Sequence, residues 1–190
     1  MRVLGISGSL RRDSHNTELL RAAATLLPSG VEFQLHDGLK DIPPYDADDE
    51  HAAPPAVQRL RDEIAAADMV LIATPEYNHS MPGVLKNALD WVSRPLATSP
   101  LRNKPVAVIG ASTGMFGAVW AQAETRKVLS AIGARVIDRE LPVATAHELV
   151  RDPDKLESSG THTLLVGILA ELIDAANARK ERERELAAAA

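Results

Sequence analysis

A chain of 190 residues, 45% apolar and 25% charged, has the size and composition of one ordinary domain with a sizeable core. Its net charge of −5 and dispersed Lys and Arg leave no basic footprint for nucleic acid, and its apolar runs fall far short of the roughly 20 residues of a membrane span. Without cysteine there is no disulfide, thiolate nucleophile or cysteine-held zinc or iron–sulfur cluster, so redox chemistry would fall to a bound cofactor. The histidines show no i,i+4 pairing, and no metal site is expected.

In chain order, "RVLGIS" (2–7) is a continuous apolar run, the pattern of a strand buried on both faces. It lacks the zones of a signal peptide, so a cytoplasmic location is expected. A helix follows over 16–27, with Leu19, Leu20, Ala23 and Leu26 along one side. "VEFQLH" (31–36) alternates apolar and polar residues, as a half-exposed edge strand does. The Pro- and Asp-rich stretch 37–51 reads as a surface loop, and Val57, Leu60 and Ile64 mark a helix over 54–66.

"DMVLIAT" (68–74) is a second buried strand. The helix in "PGVLKNALDWVSRP" (82–95) opens at Pro82 and stops at Pro95. "KPVAVIG" (104–110) is a third buried strand, and a helix over 118–132 ends at a glycine C-cap, Gly133. "ARVIDRE" (134–140) is a mixed edge strand. A last helix starts at Leu156 or Ser159, and the tail 180–190, "KERERELAAAA", reads as its solvated, fraying end. The whole forms one domain, 1–190, of α/β class. Edge character in strands two and five predicts a doubly wound parallel sheet of five strands in the order 2-1-3-4-5, flavodoxin-like, with helices on both faces.

In such a sheet ligands bind beyond the carboxyl ends of the strands, where the order reverses. Three loops converge there. The first, "GISGSLRRDSHNTEL" (5–19), joins turning glycines to Ser9, Ser14, Asn16 and Thr17, at a helix N-terminus whose free N–H groups favour an anion. Arg11 or Arg12 would neutralise charge. Neither G-x-G-x-x-G nor G-x-x-x-x-G-K-[ST] fits, so this loop suits the terminal phosphate of a mononucleotide. The second, "TPEYNHSMPG" (74–83), and the third, "GASTGMFG" (110–117), offer backbone groups to a planar ring; taken singly, each also reads as an ordinary packed or capping turn.

The combination of "GSLRRDSHNT", "TPEYNHSMPGVLKNALDW" and "ASTG" resembles the NADPH-dependent FMN reductase family, which includes bacterial chromate and quinone reductases. The matched motifs anchor roughly the first 130 residues. The resemblance implies bound FMN, NAD(P)H as co-substrate, and a homodimer or homotetramer. It places Ser9, Arg11, Ser14, Asn16 and Thr17 on the phosphate. Pro75, Glu76, Tyr77 and Asn78 would line the isoalloxazine, with Ser112, Thr113 and Gly114 closing its other edge.

The reaction it implies passes hydride from NAD(P)H through the flavin to a quinone, azo, metal-oxyanion or flavin acceptor. The flavin makes and breaks the bonds, so no catalytic side chain is named. Backbone donors near Asn78 and Ser112 would meet charge developing on the reduced ring. Trp91, Trp120 and Met115 are candidates for an apolar interface between copies, or for ordinary core. A non-enzymatic flavodoxin-like carrier is the nearest rival, although 3% aromatic residues and mild charge do not suit one. A second rival is a serine hydrolase: "GASTG" (110–114) matches G-x-S-x-G, with Ser112 as nucleophile, Asp138 or Asp152 as acid and His147 or His162 as base.

Overall fold

The computed structural model describes residues 1–189. The chain runs through β1 (Arg2–Ser7), α1 (His15–Thr25), β2 (Glu32–His36), α2 (Pro55–Ala66), β3 (Met69–Thr74) and α3 (Gly83–Val92). It continues through β4 (Pro105–Ala111), α4 (Val119–Ile132), β5 (Arg135–Val136), β6 (Pro142–Val143), α5 (Ala146–Leu149), α6 (Pro153–Glu157) and α7 (Gly160–Ala188). No helix among the described residues is long and apolar enough to cross a membrane.

The strands pair in parallel in the order β2-β1-β3-β4-β5, with β6 also on β4. Every residue of β3 and β4 is buried, as continuous Val and Ile runs require when helices cover both faces. Successive side chains feed opposite cores. Leu4, Ile6, Val70, Ile72, Val106 and Val108 pack with α2, α3 and the inner face of α4. Val3, Met69, Leu71, Ala107 and Ile109 pack with α1 and α7. The arrangement is a three-layer, flavodoxin-like sandwich.

The fifth strand departs from expectation. Residues 134–140 do not form one ladder: β5 is two residues long, Asp138 to Glu140 leave the sheet, and the chain rejoins β4 at β6. Gln122 of α4 stands in for the missing backbone. Its amide donates to the Leu141 carbonyl at 3.1 Å, and its oxygen accepts from the Leu141 N–H at 3.0 Å. Arg126 holds the ejected segment through the Arg139 carbonyl and the Glu140 carboxylate.

Trp91 is core, not interface. Its side chain is wholly buried, its Nε1 donates to the Pro43 carbonyl at 2.9 Å, and Tyr45 packs edge-on against it. The loop 37–51 is therefore fastened over α3: Leu39 and Ile42 are buried, and Asn87 bonds both the Pro43 carbonyl and the Tyr45 N–H. Two short 3-10 turns, Leu39–Asp41 and Ala47–Ala52, lie within it. Trp120 and Met115 remain exposed, at 41% and 80%. At the C-terminus α7 stays helical through the charged tail to Ala188, and Lys180 pairs with Asp68 at 2.9 Å.

Candidate functional site

The carboxyl ends of β1, β3 and β4 lie side by side, and the loops leaving them enclose a cavity of about 150 Å³. Ser9, Arg11, Ser14 and Asn16 come from the first loop, Pro75, Glu76 and Tyr77 from the second, and Ser112 and Thr113 from the third. Thr17, Asn78 and Gly114 do not line it.

The first loop is shaped by its own hydroxyls. Ser14 caps α1 by accepting from the Thr17 N–H at 3.3 Å, which leaves the earlier N–H groups of the helix free to face a ligand. Thr17 Oγ1 donates to Ser7 Oγ at 2.9 Å, so its hydroxyl shapes the turn from behind. Arg11 is exposed and donates to the Asp13 carbonyl at 2.8 Å. The Gly8 N–H donates to the Ala73 carbonyl at 2.8 Å, and a Cβ at Gly8 would press on Leu85 and Pro75 at 3.1 and 3.3 Å. A side chain there would part the first loop from the second.

Asn16 departs from its expected place on the phosphate. Its amide is 3% exposed and bonds both the Ala111 carbonyl and the Ala111 N–H, each at 2.9 Å. The side chain is a strut between α1 and the end of β4.

The second loop is a two-residue turn. Tyr77 and Ser80 exchange backbone hydrogen bonds at 3.0 and 3.1 Å, with Asn78 and His79 at φ 53° and 60° between them. Positive φ at both central positions is the type I′ pattern, and it carries Asn78 to the exposed tip. Glu76 does something the sequence does not disclose. Ala118, the residue that precedes helix α4, offers it no side-chain cap. Glu76 Oε2 accepts from the Trp120 and Ala121 N–H groups at 3.0 and 3.1 Å, capping that helix from 45 residues away. His79 packs edge-on against Trp120, and Trp120 against Phe116, at 4.8 and 4.9 Å. The turn and the start of α4 thus form one unit at the mouth of the cavity.

In the third loop the Ser112 N–H donates to the Val143 carbonyl at 3.0 Å, so it is not free to meet a ring. Ser112 Oγ accepts from the Gly114 N–H at 3.1 Å. Among the described residues no hydrogen bond links Ser112 to a histidine, and His147 faces Glu148 at 3.5 Å. The hydrolase arrangement is not assembled.

His15 has no ligand signature in the sequence, where it reads only as one of six histidines, at the start of a helix. It lines the cavity, and its Nδ1 is buried without a partner among the described residues. Burial, then the nearby charges of Arg11 and Arg151, holds its pKa below the ordinary imidazole value. The fit to a phosphorylated flavin is therefore good. Ser9, Arg11, the start of α1 and an unpartnered imidazole share the cavity with Pro75, Glu76 and Tyr77 and with Ser112 and Thr113, a donor set suited to an anionic, planar ligand.

A parallel sheet in this order, with its ligand loops at the switch point, defines a flavodoxin-like cofactor protein. The model of the NADPH-dependent FMN reductase family matches residues 1–148, and the chain belongs to that family. It is 51% identical over 131 residues to an NAD(P)H-dependent FMN reductase of Pseudomonas aeruginosa, covering 68% of this chain and 69% of that one. It is 40% identical over 141 residues to the quinone reductase of Escherichia coli K12, covering 73% and 74%. The solved structure of FerB, a flavoenzyme NAD(P)H:(acceptor) oxidoreductase from Paracoccus denitrificans, superposes with a TM-score of 0.80 at 36% identity, over 93% of this chain and 97% of that one. The protein is an FMN-dependent NAD(P)H oxidoreductase.

Proposed function

We propose that this enzyme carries reducing equivalents from NAD(P)H through FMN to small acceptors, quinones foremost, with azo compounds, metal oxyanions and free flavins sharing the same open site. The observation that carries the reading is the convergence of the phosphate-type loop with Pro75, Glu76 and Tyr77 and with Ser112 and Thr113 around one cavity. Relatives named quinone reductase support the acceptor class.

In this reading Ser9, Arg11, Ser14 and the free α1 N–H groups, that of Asn16 included, bind the phosphate end, and Thr17, bonded to Ser14 and Ser7, shapes the turn that holds it. Pro75, Glu76, Tyr77 and Asn78 frame the ring on one side, Ser112, Thr113 and Gly114 on the other. FMN supplies the two-electron hydride chemistry when bound. The protein positions it, keeps Glu76 on α4 so that the turn does not drift, and leaves a face open for the donor and then the acceptor. We further propose one domain spanning 1–190, a cytoplasmic location, and a homodimer or homotetramer. Exposed Met115, Phe116 and Trp120 are the apolar surface for assembly.

Purified protein should be yellow or become so with FMN, and should consume NAD(P)H with a quinone and no partner protein. A colourless protein that takes up no FMN sinks the reading. A yellow protein that reacts only through a partner protein makes it an electron carrier.

A further inference from the structure

On the other side of the Ser9–Arg11 turn lies a second cavity, of about 290 Å³, which shares those two residues with the flavin cavity. One wall is the carboxyl end of β2, with His36 and Asp37; another is the 3-10 turn that carries Lys40. Four cations face it: Arg11, Arg12, Arg21 and Lys40. Against them stands one carboxylate, Asp37, already neutralised by Arg59. Arg21 is paired with Glu18, but among the described residues Arg12 and Lys40 have no ion-pair partner. The His36 imidazole in the wall is wholly buried; its Nδ1 is spent on Glu63 at 2.6 Å, and its Nε2 has no partner.

This charge would suit any phosphate, but the remaining lining narrows the ligand. Leu10, Leu35 and Leu39 give an apolar surface, which a bare anion does not use and a purine does. The volume stands at the lower end of small-molecule sites, roughly 300 Å³ upward, about right for part of a ligand whose remainder lies elsewhere. The cavity adjoins the phosphate end of the flavin site, away from the ring loops. Resting on the flavin reading above, we propose that it binds the adenosine-phosphate end of a dinucleotide, with Lys40 and Arg12 on the phosphate and the leucines beneath the base. That end belongs either to NADPH, with its 2′-phosphate, or to a dinucleotide with a plain AMP half.

FMN-loaded protein titrated calorimetrically with 2′,5′-ADP and with 5′-AMP tests this, using wild type and Lys40→Glu. Lys40 is exposed and outside the flavin cavity, so flavin absorbance should be unchanged in the variant. Reversing one charge at the phosphate should weaken nucleotide binding by about tenfold or more. Tighter binding of 2′,5′-ADP than of 5′-AMP assigns the end to NADPH; equal binding assigns a plain AMP half. Failure of both nucleotides to bind the yellow protein, or equal binding by wild type and Lys40→Glu, overturns the proposal while leaving the flavin reading intact. Protein that takes up no FMN overturns both.

Discussion

Asn16→Ala removes both hydrogen bonds that tie the start of α1 to the end of β4. Asn16 and Ala111 are each 3% exposed, so water does not replace the lost partners. Two neutral hydrogen bonds contribute about 1 kcal/mol each, and stranding the Ala111 N–H and carbonyl adds roughly 1–3 kcal/mol. A loss of about 3–5 kcal/mol is expected, which for a chain of this size lowers Tm by about 6–20 °C. Urea unfolding at fixed FMN concentration measures the stability, and an FMN titration run in parallel separates stability from cofactor binding. If stability changes by less than about 0.5 kcal/mol while FMN affinity collapses, the strut argument is refuted and the amide belongs on the phosphate.

Four further outcomes are expected. Ser9→Ala with Arg11→Ala should weaken FMN retention, read by equilibrium dialysis, with little change in the unfolding midpoint; unchanged retention would put the phosphate elsewhere. Glu76→Ala should cost about 1 kcal/mol by uncapping α4 and should alter Trp120 fluorescence; an unchanged emission spectrum would show that the turn is held by other means. Gly117→Ala places a Cβ 2.3 Å from the Pro142 carbonyl carbon at φ 55°, and should cost about 2–4 kcal/mol in chemical denaturation. Lys104 is buried, with its pKa lowered by desolvation from 10.5 to about 8. Between those values the unfolded chain holds a proton that the folded one has shed, so this group makes stability rise with pH. The gain is at most roughly 3 kcal/mol, because the ammonium also donates to the Ala65 and Ala67 carbonyls. Lys104→Met should flatten that rise, and an identical pH profile would rule the effect out.

Buried strands announce themselves, because a segment covered on both faces has no polar side to show. That is why β1, β3, β4 and the sheet order were legible. The fifth strand was not, because its shape depends on Gln122 reaching from α4 into the ladder, a contact that no local pattern encodes. The same holds at the site. The loops could be placed from glycines, hydroxyls and the helix start, but the work of each side chain depends on distant neighbours. Asn16 looks like a phosphate ligand until Ala111, 95 residues on, takes its amide. Trp91 looks like an interface residue until the Pro43–Tyr45 segment folds over it. Glu76 looks like one more residue along the ring until the uncapped start of α4 takes its carboxylate.

The break between β5 and β6 also bears on how the molecule behaves in a crowd. An outermost strand with a long row of unused backbone groups is a template on which another chain can grow. Here each segment on that side is only two residues long, and exposed Asp138, Arg139 and Glu140 project between them. An incoming strand finds no continuous row to copy and meets charge where it would lie flat. The side chain that repairs the ladder from within thus lets the sheet end without inviting aggregation.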